Sequence, residues 1–126
     1  MAPNALIVDD DAPFAELVAT LLGEDGRVVV AGRAADGPQA LALALRYRPD
    51  VVLMDLNLPG FDGLEATRRI RSALAETRVV VVTSSSEPED RDRARAAGAD
   101  AFVPKSAAAE RLVETILAIH TAAGAR

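Results

Sequence analysis

The chain has no cysteine and no tryptophan, one histidine, and only four aromatic residues of the Phe/Tyr type. Without cysteine there is no disulfide framework, no thiolate metal site and no cysteine nucleophile. That composition also fits a reducing compartment. A single histidine argues against a His-rich metal centre or a His-centred triad. The formal net charge is −5, and no basic stripe interleaved with aromatics is present. Direct nucleic-acid binding leans on Lys and Arg neutralising phosphates, so the overall field argues against it. No apolar run approaches the ~18–20 residues of a membrane span. The opening Met1-Ala2-Pro3-Asn4 lacks a basic stretch ahead of an apolar one, so no secretory signal is visible. The expectation is a soluble, cytoplasmic protein with no membrane contact.

What is present is a regular alternation. At 126 residues, half of them hydrophobic, the chain is long enough for one domain with its own core. Short apolar runs at 4–9, 28–31, 51–55, 78–83 and 99–104 read as strands. Between them lie helical patterns. Asp11 stands as an N-cap before a helix with Phe14, Leu17, Val18, Leu21 and Leu22 on one face, stopped by Gly23 and Gly26. Asp36 and Gln39 precede a helix carrying Ala40, Leu41, Ala44 and Leu45, which Pro49 ends. Asp62 with Glu65 resembles a capping box ahead of Leu64, Ile70 and Leu74, and Ser86 with Glu89 matches one ahead of a helix over 87–97. Ser106 reads as the N-cap of a last helix with Leu112, Val113, Ile116 and Leu117 on its apolar face.

Five strand–helix repeats call for a doubly wound α/β fold with a parallel sheet and helices on both faces. The Val-rich runs 51–54 and 79–82 lack polar alternation, as strands buried on both faces do. Pro104 must end an edge strand, since proline cannot donate to a ladder. The expected strand order is 2-1-3-4-5. The domain is read as 1–126, with a core of about 4–120 and a frayed tail or linker stub from Thr121.

That order puts Asp9, Asp10 and Asp55 side by side at the carboxyl ends of the first and third strands, where such sheets bind ligands. Thr83 and Lys105 end the neighbouring strands. Singly, Asp55 reads equally well as a turn or cap residue, and Asp11 as an N-cap alone. Jointly, the acids call for relief: two unit charges ~4 Å apart repel by roughly 4 kcal/mol at an effective dielectric near 20. An oxygen-only, shallow site suits Mg²⁺. An ionised aspartate beside such a metal can act as a nucleophile toward phosphorus, giving an acyl phosphate.

Four ordered segments carry a resemblance: Val8-Asp9-Asp10, Met54-Asp55-Leu56-Asn57-Leu58-Pro59 with Asp62-Gly63, Val82-Thr83-Ser84, and Phe102-Val103-Pro104-Lys105. Together they resemble the receiver domains of two-component response regulators, the CheY-like superfamily with a flavodoxin-like fold. Lys105-Ser106, in place of the more common Lys-Pro, is most similar to NarL/FixJ-type receivers.

The resemblance implies that Asp55 is the phospho-acceptor and that Asp9, Asp10, Asp55 and the backbone carbonyl of Asn57 hold Mg²⁺. Thr83 and Lys105 are then the phosphoryl-sensing pair, with Ser84 at the rim and Phe102 as switch aromatic; Asp55 and Lys105 carry the chemistry. Implied partners are a sensor histidine kinase or a histidine phosphotransfer protein, a C-terminal DNA-binding output domain absent from this chain, and a second copy in a homodimer. The chain would be a signalling switch rather than a turnover enzyme.

Two rivals differ in class. A phosphate-independent receiver-like binding module would take no label. A small Mg²⁺-dependent phosphohydrolase of the haloacid-dehalogenase type would need an Asp-x-Asp spacing and a cap domain, where this chain has adjacent Asp9-Asp10.

Overall fold

In a computed structural model that describes residues 2–124, strands and helices alternate throughout. The strands are β1 (Asn4–Val8), β2 (Val29–Ala34), β3 (Val51–Met54), β4 (Arg78–Thr83) and β5 (Ala101–Pro104). The helices are α1 (Ala12–Asp25), α2 (Gly37–Tyr47), α3 (Gly63–Ala73), α4 (Pro88–Ala97) and α5 (Ala108–Gly124). The sheet is parallel and ordered β2-β1-β3-β4-β5, as expected. Pro104 ends the edge strand, opposite Thr83.

Successive strand residues face opposite sides of a sheet, which divides the core in two. Ala5, Ile7, Val51, Leu53, Val80, Val82 and Val103 meet Ala15, Val18 and Leu22 of α1 and Leu112 and Ile116 of α5. Leu6, Val8, Val52, Met54, Val79 and Val81 meet Ala40 and Ala44 of α2, Ala66 and Ile70 of α3, and Ala94 of α4. Burial on both faces explains why β3 and β4 show no polar alternation.

Several local readings need correction. Gly23 does not stop α1, which runs to Asp25 and closes on Gly26 at φ +82°. Leu17 and Leu45 are about half exposed; small Ala15, Ala40 and Ala44 take the sheet-facing positions because they let the helices approach closely. β2 begins one residue later than the apolar run and continues through Gly32 and Arg33 to Ala34, which pair with Leu6, Ile7 and Val8 of β1. β5 starts at Ala101 rather than 99.

The N-cap of α4 is Glu87, not Ser86, since Pro88 takes the first helical position. Among the described residues no side chain caps α4; the Ser85 hydroxyl instead ties the turn before it, accepting from the Glu87 N–H at 3.2 Å and donating to Asp90. Ser106 caps nothing: Lys105–Ala107 form a 3₁₀ turn, and α5 begins at Ala108. The tail expected from Thr121 is helical as far as Gly124, while Ala125 and Arg126 lie outside the described residues.

Two glycines bring the loops at the carboxyl edge close to the sheet. A side chain at Gly63 would collide with the Asp55 carbonyl, so α3 can start tight against the end of β3. One at Gly37 would collide with the Phe61 carbonyl, where the loop after β3 rests on the start of α2.

Candidate functional site

β1 and β3 deliver the acids. Asp9 follows β1, its N–H bonding Ala34 O at 3.0 Å, and Asp55 follows β3, its N–H bonding Val8 O at 3.0 Å. The ladders thus continue one residue beyond each strand and set both carboxylates at the sheet edge. Asp9 and Asp55 are buried at 6% and 5% exposure, whereas Asp10 is exposed. One carboxylate oxygen from each of the three lies within 4.8 Å of the others.

Lys105 closes the group. The 3₁₀ turn after β5 carries its ammonium to 2.8 Å from Oδ2 of Asp9 and 3.6 Å from Oδ2 of Asp55. Asp9 uses Oδ1 to accept the Asp11 N–H at 2.8 Å. The Asp55 Oδ1 is buried and has no hydrogen-bond partner. Burial, and then the charge of Asp9, push the Asp55 carboxyl above the usual carboxylate range against the opposing pull of Lys105 and of the nearby backbone N–H groups of Asn57 and Leu56. Burial would lower the Lys105 ammonium, but the hydrogen bond it donates to Asp9 and the charges of Asp55, Asp9 and Asp11 together hold it above the ordinary lysine value.

The sequence-derived residues therefore fall into two groups. Asp9, Asp10, Asp55 and Lys105 converge. Thr83 is fully buried at the end of β4, with its Oγ1 accepting the Ser85 N–H at 3.4 Å rather than bonding an acid. Asn57 and Ser84 are exposed on the loops after β3 and β4. Phe102 is part-buried on β5 with the Arg91 guanidinium 5.2 Å from its ring centroid. It belongs to the half of the core covered by α2–α4 and does not touch the acid cluster's lysine.

Asp11 is an N-cap, accepting the Phe14 N–H at 3.3 Å. One neighbour escaped the sequence reading: the Phe14 ring lies 4.6 Å from the Lys105 ammonium. Helical spacing marks Phe14 only as a core residue, and nothing local links it to a position 91 residues on.

A doubly wound parallel sheet with acids at the β1/β3 switch point and a lysine after β5 defines a class of α/β domains with a charged site at the carboxyl edge of the sheet. The chain belongs to the response regulator receiver domain family, whose model matches residues 5–117. It is 38% identical over 113 residues to the response regulator GacA of Pseudomonas aeruginosa, covering 90% of this chain and 53% of that protein. It superposes on a LuxR-family two-component response regulator from Aurantimonas sp. with a TM-score of 0.91 at 34% identity, covering 97% of this chain and 87% of that one. With the signal receiver domain of a NarL response regulator from Mycobacterium tuberculosis the TM-score is 0.90 at 33% identity, covering 94% and 96%.

The likeness to NarL- and LuxR-type regulators agrees with the Lys105-Ser106 signature. The chain spans about half the length of the curated relatives it matches, 53% and 54% of the first two. Among the described residues, no helix is long and apolar enough to cross a membrane.

Proposed function

We propose that this receiver domain is a phosphorylation switch in which Asp55 accepts a phosphoryl group from a phosphohistidine. The donor would be a sensor histidine kinase or a histidine phosphotransfer protein. The observation that carries this reading is the Asp55 carboxylate itself. It is buried, Oδ1 has no partner, and a second buried acid stands beside it. Leaving a buried acceptor unsatisfied costs about 1–3 kcal/mol, and such arrangements concentrate at functional sites.

The donor set fits a hard divalent ion. Asp9, Asp10 and Asp55 offer three oxygens within 4.8 Å, and the orphaned Oδ1 supplies a free acceptor. Mg²⁺ held by these three and by the backbone carbonyl of Asn57 would supply positive charge to the phosphoryl oxygens. On this reading, a lone pair on Asp55 attacks phosphorus as the P–N bond of the donor breaks. The bonding pair stays on the imidazole nitrogen, and Asp55 becomes an acyl phosphate.

Lys105, already 3.6 Å from Asp55, pairs with one phosphoryl oxygen; the Thr83 hydroxyl donates to another, and Ser84 forms the rim. Phe102 then changes its burial, and a cavity of about 360 Å³ lined by Ser85, Pro88, Arg91, Phe102 and Pro104 gives the ring room to do so. Switching acts through partner contacts, through a second copy, or through a DNA-binding output domain carried by a longer protein. The domain itself turns over no external substrate, and its core spans about residues 4–120.

Incubation with acetyl phosphate and Mg²⁺ tests this. The expected result is a mass gain of one phosphoryl group that hydroxylamine removes and that is absent in Asp55→Asn. Equal labelling of Asp55→Asn contradicts the assignment. No labelling at all favours a phosphate-independent binding module.

A further inference from the structure

Lys105 is the chain's only lysine; the other thirteen of its fourteen Lys/Arg residues are arginines. A compact ammonium on a flexible four-carbon stem stands at the acid cluster, and guanidinium forks serve everywhere else. The ammonium has three near neighbours: Oδ2 of Asp9 at 2.8 Å, Oδ2 of Asp55 at 3.6 Å and the Phe14 ring at 4.6 Å. The two carboxylates are the groups whose charge environment changes when a cation or phosphoryl group arrives. The ring is the neighbour that does not change.

Phe14 is itself firmly placed. It lies in the first turn of α1, its N–H is bonded to the Asp11 cap, and its ring packs against the core between the sheet, α1 and α5. The remaining cation–ring pairs among the described residues, Arg46–Tyr47, Arg69–Phe61 and Arg91–Phe102, all involve guanidinium groups away from the acids.

We propose that Phe14 is a positioning residue, holding the Lys105 ammonium over the acid cluster through the face of its ring. The inference rests on the reading of Asp55 as phosphoryl acceptor. The negative ring face attracts the ammonium and limits the swings its stem allows. Asp9 alone would draw the ammonium toward itself and away from Asp55. Leucine at position 14 fills much of the same space but offers no such face, while tyrosine retains it.

A single lysine makes the test clean. Protein grown on ¹³C,¹⁵N-lysine gives one side-chain signal set, and in the parent its methylene protons beside the ammonium shift upfield and show cross-relaxation to the Phe14 ring. Phe14→Leu should move these signals toward the free-lysine position and slow Asp55 labelling by roughly threefold to tenfold. Phe14→Tyr should keep the signals and label within about twofold of the parent. In a Lys105→Met background, Phe14→Leu should bring no further loss.

An unchanged lysine signal in Phe14→Leu would overturn the ring contact, and equal labelling losses in the Leu and Tyr variants would overturn the positioning role; a merely structural Phe14 predicts the second result. Should the Leu variant not fold, Phe14→Met carries the same comparison. If the parent takes no label, the Asp55 reading fails, while the lysine spectrum still accepts or rejects the ring contact.

Discussion

At the amino edge of the sheet, polar groups answer one another. Asn4 and Asp50 exchange two side-chain-to-backbone bonds of 2.9 and 3.0 Å, and the Thr77 hydroxyl donates to Pro49 O at 2.9 Å. Asp100 accepts the Val79 N–H at 2.8 Å and pairs with Arg78 and Arg71. Only Arg78 Nε is left over there among the described residues. At the carboxyl edge the pattern reverses. Like charges are gathered, one lysine serves two buried acids, and the Asp55 Oδ1 accepts from nothing. The same strands feed both edges, so the contrast comes from the residues at their ends. One end is closed by its own partners, and the other keeps charge and bonding capacity that the chain itself does not satisfy.

The largest effect on stability should come from disturbing the closed end. Asp100→Ala removes the acceptor of Val79 N–H and leaves two partly buried arginines without their carboxylate. It should destabilise the fold by about 2–3 kcal/mol in denaturant unfolding, with labelling of the folded protein unchanged. A loss of labelling in the folded variant would blur the distinction between the two edges.

Disturbing the open end should act with the opposite sign. The Asp55 carboxyl is raised above its unfolded value by burial and by Asp9. Its favourable contribution is therefore full only below the unfolded value, about pH 3.9, and is lost as pH rises through the folded value. At neutral pH the ionised group works against folding. Asp55→Asn, which stays uncharged, should raise the stability and Tm of the metal-free protein at pH 7. The gap should narrow as pH falls toward 4. Lys105 runs the other way: its folded value is raised, so its contribution holds across neutral pH and is lost only in strong alkali. A less stable Asp55→Asn at pH 7 would mean that the edge is not strained by its charges.

The smallest effect separates two adjacent serines in the loop between the site and α4. Ser85→Ala removes the acceptor of the Glu87 N–H and the donor to Asp90, and should cost about 1 kcal/mol and loosen the first turn of α4 in hydrogen exchange. Ser86→Ala should leave both unchanged.

This last pair also marks the limit of what the sequence disclosed. The strands and their polar ends were legible because short apolar runs ending in polar residues encode both strand and edge; with the order 2-1-3-4-5 that is common for such sheets, the convergence of Asp9, Asp10, Asp55 and Lys105 followed. The Ser86–Glu89 spacing matched a capping box, yet Pro88 at the first helical position moved the start one residue on and made Glu87 the N-cap, with Ser85 tying the turn before it. The length of β2 was hidden as well, since Gly32 and Arg33 belong to the strand through pairing with β1 rather than through their own preference. Leu17 and Leu45 matched an apolar stripe but lie outside, because alanines set how closely α1 and α2 approach the sheet. Phe14 beside Lys105 depends on a contact between the first and last helical regions, which no local pattern states.

The most direct test of the open edge is to ask which carboxylate takes the phosphoryl group. Treating the acetyl phosphate-labelled protein with borohydride reduces an acyl phosphate to the alcohol, converting the acceptor aspartate to homoserine. Peptide mapping should then find homoserine at position 55 alone, with Asp9 and Asp10 intact. Homoserine at position 9 or 10 with Asp55 unreduced would contradict the assignment.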